Sequence, residues 1–163
     1  MCTYTATVET PVGPMTVAVN ESGQLIALWF GSEISDSEIP GERIEDAGRC
    51  VGVIQQVCEY FAGERREFDI VLAPQGTEFQ RQVWDELTRI PYGASISYGE
   101  LAARIGRPKA VRAVGQANGA NPIAIIVPCH RVIGANGKLT GYAGGLNNKH
   151  QLLALEAMTL MAS

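Results

Sequence analysis

The chain has 163 residues, 46% of them hydrophobic and 18% charged, and a formal net charge of −4. That length fits one domain or two small ones sharing an interface, and the composition is that of an ordinary globular protein, which excludes a disordered or fibrous chain. No apolar run approaches a membrane span, and the opening "MCTYTATVETPVGPM" lacks a basic start followed by an apolar block, so a cytoplasmic location is expected.

In chain order, the first half reads as β-rich. "TATVETPVG", "PMTVAVNE" and "LIALWF" are short β-branched or apolar runs separated by turn signals at Gly13-Pro14 and Glu21-Ser22-Gly23, which predict a hairpin or meander. "SEISDSEIPGERIED" is polar and reads as loop. In "CVGVIQQVCEYFAGE", Val51, Ile54, Val57, Cys58 and Phe61 recur at helical spacing, with Gly63 as a stop. "EFDIVLAP" reads as one more strand, and Pro74-Gln75-Gly76 as a linker.

The second half reads mainly as helices. Thr77 with Gln80 forms a capping box that opens "EFQRQVWDELTRI", where Phe79, Val83, Trp84 and Leu87 make an apolar stripe and Pro91 ends the run. Ser97 with Glu100 forms a second box opening "YGELAARI", with Gly106 at its stop. Pro108 suits the first turn of "KAVRAVGQANG", and Asn148 suits the cap of "KHQLLALEAMTLMA".

The two helices joined by "GRP" form a helix-turn-helix pattern. At about 100° per residue, Ala110, Ala113, Val114 and Ala117 of the second helix fall on an inner side, and Arg112, Gly115, Gln116 and Gly119 on an outer one. That outer face fits either a groove-reading helix or a packed helix pair with one exposed arginine. The charge distribution bears on the choice. From Ile96 to His150, seven basic residues stand against Glu100 alone, so this stretch carries +6 and the remainder −10. A basic stretch of this kind suits an anionic partner.

The four cysteines are Cys2, Cys50, Cys58 and Cys129, and the only histidines are His130 and His150. No CxxC pair exists, so no metal site is expected, and a disulfide framework does not fit a reducing compartment. Cys50 and Cys58 read as buried small hydrophobes. Cys129 is different. It follows a short apolar run closed by a proline, in "PIAIIVPCHRVIG", and precedes His130. It can pack, or it can act as a nucleophile if something helps it ionise, since a free thiol has a pKa of about 8.5. Neighbours in an extended chain point to opposite faces, so His130 need not touch the sulfur directly; a bridging water could carry the proton, and a carboxylate behind the ring would orient it. The residues alone do not choose that carboxylate.

"PCHRV" at 128–132 resembles the active-site signature of the O6-alkylguanine-DNA alkyltransferases, the methylated-DNA–protein-cysteine methyltransferases. The resemblance runs from about Gly76 to Glu156 and includes "GTEFQRQVWDELTRIPYG", "SYGELAARIGRPKAVRAVGQANGANP", "IIVPCHRVIGANGKLTGYAGG" and "LLALE". It implies an α/β (α+β) fold. A small ribonuclease H-like domain of sheet and helix would occupy residues 1–75, and a mainly helical DNA-binding and alkyl-acceptor domain residues 76–163.

The resemblance also implies roles. Cys129 matches the alkyl acceptor, His130 its water-mediated base and Glu156 the carboxylate that orients the base. Asn121 matches a hinge between the DNA-binding helix and the active-site strand. Arg112 matches a finger that enters the duplex where the damaged base leaves. Tyr98 matches the tyrosine that helps turn the nucleotide out and donates to the guanine ring. Tyr142 matches a loop residue that walls the pocket and Lys149 a lysine near it, and Gly115 and Gln116 of the outer helix face, with Arg131, are further candidates for binding substrate or DNA. Ala143 stands where some members carry a serine that hydrogen-bonds the guanine oxygen, so a backbone amide would have to substitute.

The implied partner is double-stranded DNA carrying O6-methylguanine, with O4-methylthymine as a further candidate. The protein would be a monomer when free, with cooperative assembly on DNA left open. No cofactor is expected, because the lesion carries its own leaving group. Alkyltransferase-like proteins recognise the lesion without repairing it, but they replace the acceptor cysteine, which is present here. A helix-turn-helix regulator would need an effector or dimerisation domain that the sequence lacks. A cysteine hydrolase would be revealed by an ester or peptide substrate.

Overall fold

The computed structural model describes residues 2–32, 39, 41–137, 139, 142 and 144–162. The chain divides into two compact units, Met1–Pro74 and Gln75–Ser163.

The first unit is a four-stranded sheet with one helix. Strands β1 (Cys2–Thr10), β2 (Gly13–Val19), β3 (Leu25–Phe30) and β4 (Glu42–Glu45) lie in the order β3-β2-β1-β4. β1 and β2 pair antiparallel from Tyr4↔Val19 to Thr10↔Gly13. Thr10 fixes that turn: its hydroxyl donates to the Gly13 carbonyl at 2.6 Å and accepts from the Val12 N–H at 3.1 Å. β2 and β1 are the interior strands, and Met15, Val17, Ala18 and Val19 of β2 are fully buried. The one hydroxyl buried with them, on Thr16, donates to the Gly31 carbonyl at 2.7 Å, as a desolvated polar group must.

Three expectations fail in this unit. The polar stretch read as loop contains β4, which adds to β1 in parallel with Cys2↔Glu42 to Thr5↔Glu45. A backbone edge supplied by β1, rather than any side-chain pattern, makes it a strand. Conversely, "EFDIVLAP" forms only an isolated bridge, Leu25↔Leu72. Helix α1 (Ala47–Phe61) begins at Asp46, whose carboxylate accepts from the Arg49 N–H. Its buried stripe is Cys50, Val53, Val57 and Tyr60. Val51 and Cys58 are therefore exposed, contrary to the reading of Cys58 as a core residue.

The second unit begins with α2 (Glu78–Leu87). Both arms of the predicted Thr77/Gln80 capping box are formed. Val83, Trp84 and Leu87 are buried, each side chain of this size gaining about 1.5–3 kcal/mol from leaving water. The short strand β5 (Ile96–Ser97) leads into α3 (Tyr98–Arg104), and α4 (Val111–Gly119) follows. The Ser97 hydroxyl caps the Glu100 N–H, but the Glu100 carboxylate turns to Arg104 at 3.3 Å, so the second box is half made. Gly106 ends α3 with φ +77°, a left-handed conformation that suits glycine.

Pro108 lies in the turn before α4, whose N-cap is Ala110, and not in the helix's first turn. α4 is also rotated from its predicted setting. Val114, Ala117 and Asn118 are buried, while Ala113 is exposed. Trp84 anchors it: the buried indole N–H donates to the Ala117 carbonyl at 2.8 Å.

The apolar run before Cys129 is not a strand. Residues 122–127 form tight turns, and Ile125 has φ +70° while buried to 1% exposure. For a β-branched residue that conformation costs on the order of 1–3 kcal/mol and needs support from its surroundings. Cys129–Arg131 is then a single 3-10 turn, followed by β6 (Val132–Ile133), which pairs in parallel with β5. Helix α5 (Leu146–Met161) closes the unit. It starts at Gly145, and Asn148 lies within it, donating to the Gly144 carbonyl at 2.9 Å, where a cap had been expected. Among the described residues, no helix is long and apolar enough to cross a membrane.

Candidate active site

Cys129 opens the 3-10 turn with 6% of its surface exposed. The turn is held from both sides. The Cys129 N–H donates to the Val127 carbonyl at 2.8 Å. Its carbonyl lies 3.5 Å from the amide nitrogen of Asn118, a residue whose place at the site the sequence did not suggest. The Asn121 amide nitrogen donates to Cys129 Sγ at 3.1 Å, to the Val127 carbonyl at 2.8 Å and to the Ile123 carbonyl at 3.1 Å. Its oxygen accepts from the Ile123 N–H at 3.0 Å, which fixes the amide's orientation. One side chain thus brackets the strained turn at Ile125 and points a donor at the sulfur.

Opposing influences act on this thiol. Burial pushes its pKa up; the Asn121 hydrogen bond, the Lys149 charge, its own backbone N–H and a hydrogen bond with the Tyr142 hydroxyl pull it down, and burial wins. In the first unit, Cys50 has no such donors. Burial first and Asp46 second push its thiol up to about 11.

His130 is fully buried. Its Nε2 lies 2.6 Å from Glu156 Oε2. Its Nδ1 is buried and has no partner among the described residues. Burial lowers the pKa of the ring, Glu156 opposes this, and Arg131 and Lys149 lower it further. Glu156, also fully buried, is ionised: burial alone would raise its pKa, but hydrogen bonds and charges from His130 and Arg131 bring it to about 2. A carboxylate only accepts, so Nε2 carries the proton and Nδ1 presents a lone pair.

Lys149, on α5, is fully buried and donates to the Val132 carbonyl at 2.6 Å. Burial lowers its pKa, opposed by Cys129. Its Nζ lies 5.9 Å from the centroid of the Tyr98 ring at the start of α3. A Cβ at Gly115 would sit 3.8 Å from that ring, so α4 and Tyr98 pack closely. Arg112 and Gln116 are exposed on the outer side of α4.

The structure therefore gathers Cys129, His130, Glu156, Asn121, Tyr142 and Lys149, with Tyr98 against Lys149. It leaves Arg112 and Gln116 on an outer face. Ala143 lies outside the described residues. Arg131, a candidate for binding substrate or DNA, is 6% exposed and bonded to Glu156 and Ile90. Gly93 is a further member that the sequence did not disclose, donating its N–H to Glu156 Oε1 at 3.0 Å.

A buried cysteine with donors aimed at its sulfur, set against a helix-turn-helix, defines a nucleophile on a DNA-binding type of scaffold. The 6-O-methylguanine DNA methyltransferase DNA binding domain matches residues 78–158, and the 6-O-methylguanine DNA methyltransferase ribonuclease-like domain matches residues 3–74. A methylated-DNA–protein-cysteine methyltransferase from Methanosarcina acetivorans is 54% identical over 94% of this chain and 97% of its own length. One from Mycobacterium tuberculosis is 51% identical over 92% of this chain and 90% of its own. The crystal structure of Mycobacterium tuberculosis OGT in complex with DNA superposes with a TM-score of 0.87 at 48% identity, covering 98% of this chain and 94% of that one. The chain belongs to the 6-O-methylguanine DNA methyltransferase family.

Proposed function

We propose that this protein repairs O6-methylguanine in double-stranded DNA by moving the methyl group onto Cys129, once per molecule. The observation that carries the reading is the Cys129 sulfur, with Asn121, Tyr142 and Lys149 around it and, next in the chain, His130 bonded to Glu156. The relatives' shared name, methylated-DNA–protein-cysteine methyltransferase, and the DNA in the related complex agree with it.

The O6-methyl group faces the base-pairing edge and is out of reach inside the stack. The nucleotide must be flipped, at a cost of a few kcal/mol. Arg112, exposed on α4, fills the space left behind and offsets part of that cost. Gly115, Gly119 and Gln116 let α4 approach the duplex, with phosphate contacts dominating affinity. In the pocket, the thiol proton passes through a water to Nδ1 of His130, the ring nitrogen without a partner among the described residues. Sulfur then bonds to the methyl carbon and the carbon–O6 bond breaks. Its electrons go to the guanine ring, Tyr98 supplies the proton that makes neutral guanine, and the proton taken up by His130 makes good that loss through solvent. Asn121, Tyr142 and Lys149 oppose the burial penalty on the thiolate. The product is a thioether, a poor leaving group, so the protein is spent. In this reading DNA binding and alkyl acceptance both belong to the second unit.

The test is mass spectrometry after mixing with duplex DNA that carries one O6-methylguanine. One methyl on the peptide containing Cys129, with guanine restored, is the expected result. Tight binding without a mass change would move the protein to the lesion-recognition class. A matched duplex with O4-methylthymine measures the range of substrates, and sedimentation on undamaged DNA the assembly state.

A further inference from the structure

Every nitrogen of the Arg131 guanidinium is engaged. Nε donates to Glu156 Oε1 at 2.9 Å, one terminal nitrogen to Glu156 Oε2 at 3.0 Å, and the other to the Ile90 carbonyl at 2.8 Å. The guanidinium carbon lies 5.5 Å from the centroid of the Tyr92 ring. Such a fork fixes both the charge and the plane of a carboxylate, which a lysine could not do. The Gly93 N–H adds to the same carboxylate from the opposite chain segment. Gly93 has φ +79°, a left-handed backbone that suits glycine, and a Cβ there would lie 2.0 Å from Leu160 Cδ1.

We infer that Arg131 is a positioning residue for the transfer reaction. It holds Glu156 as an aligned carboxylate on the Nε2 side of His130, and so keeps the Nδ1 lone pair available for the thiol proton. The inference rests on the function proposed above. Arg131 touches neither sulfur nor substrate and acts through Glu156.

The argument is one of buried charge. With Arg131 present, the Arg131–Glu156 pair is already neutral, and a proton on His130 would add an uncompensated cation in a desolvated site. Lys149, which faces the ring from α5, adds to that penalty. Without Arg131, Glu156 would be a lone buried anion, and the imidazole is the base that contacts it. His130 would then take a proton at Nδ1 and lose its function as a base. The remaining groups around the ring are Cys129 on the same turn, Tyr142 and Tyr98 toward the sulfur and Lys149, and Tyr92 behind Arg131. None of these can replace the guanidinium as a fixed cation on Glu156.

The test follows single-turnover methyl transfer from duplex DNA with one O6-methylguanine, between about pH 6 and about pH 9, for wild type, Arg131→Met and Arg131→Lys. In Arg131→Met the rate should fall about tenfold or more near neutrality, with the deficit shrinking as pH rises and His130 gives up its proton. Arg131→Lys keeps the charge without the fork and should lie between the two. A folded Arg131→Met whose rate runs parallel to wild type at every pH would overturn the inference, leaving a structural role only. If Arg131→Met does not fold, nitrogen-15 NMR of His130 in the wild-type protein decides. An unprotonated Nδ1 and a protonated Nε2 at neutral pH are expected, and a doubly protonated ring would sink the idea. If wild type itself accepts no methyl, the proposed function fails, while the ring's protonation still reports on Arg131.

Discussion

The Asn121 amide nitrogen lies 3.1 Å from Cys129 Sγ, and the same amide spans the turn between Ile123 and Val127. Asn121 directly follows Ala120, the C-cap of α4. A displacement of that helix end is therefore felt at the sulfur through one side chain. The amide also supplies the strongest of the influences that oppose burial of the thiolate.

Asn121→Leu removes the donor and frees the turn. Its unfolding midpoint in urea should drop, corresponding to about 1–3 kcal/mol from the unpaired carbonyls and the strain at Ile125. The thiol's pKa should rise, which iodoacetamide alkylation of Cys129 as a function of pH would read out. An unchanged alkylation profile would remove Asn121 from any role at the sulfur.

Arg112→Ala should leave thermal stability within about 0.5 kcal/mol of wild type, because the side chain is exposed. Repair of duplex DNA should weaken, while reaction with free O6-benzylguanine stays near normal. Equal loss in both assays would end the finger assignment.

Glu156 sets the acid limit of stability. Its folded pKa of about 2 lies below its ordinary value of 4.5. A depressed carboxylate contributes stability that is fully present above the unfolded value and is lost as pH falls through the folded one. The melting temperature should therefore fall as pH drops from about 4.5 toward about 2. Glu156→Gln should flatten this part of the profile. It should also cost about 3–5 kcal/mol at neutral pH, since it leaves Arg131 buried without its counter-charge.

Trp84→Phe keeps most of the ring's volume but leaves the Ala117 carbonyl without its indole donor. A loss of about 1–3 kcal/mol is expected, and hydrogen exchange should rise first in α4. Uniform exchange across the second unit would show that the indole does not anchor α4 in particular.

Local chemistry in the sequence disclosed what local chemistry determines. The Thr77/Gln80 box, the stripe of α2 and the pairing of Cys129 with His130 all depend on residues a few positions apart. β4 was illegible because its ladder is made by the edge of β1, distant in sequence. The face of α4 was misjudged because an alanine can lie out as easily as in, and the buried polar place went to Asn118. The partner of Arg131 was illegible for the same reason as β4: Glu156 lies 25 residues away in the chain.

The Arg131–Glu156–His130 group has an evolutionary corollary. Its charges are buried and mutually compensating, so changing one member strands the others. Stability alone would let exposed positions on and near α4, such as Lys109 and Gln116, drift one substitution at a time. The interior trio can drift only in concert. A saturation library of this protein should therefore show sharp epistasis among these three positions and near-additive effects across the outer surface.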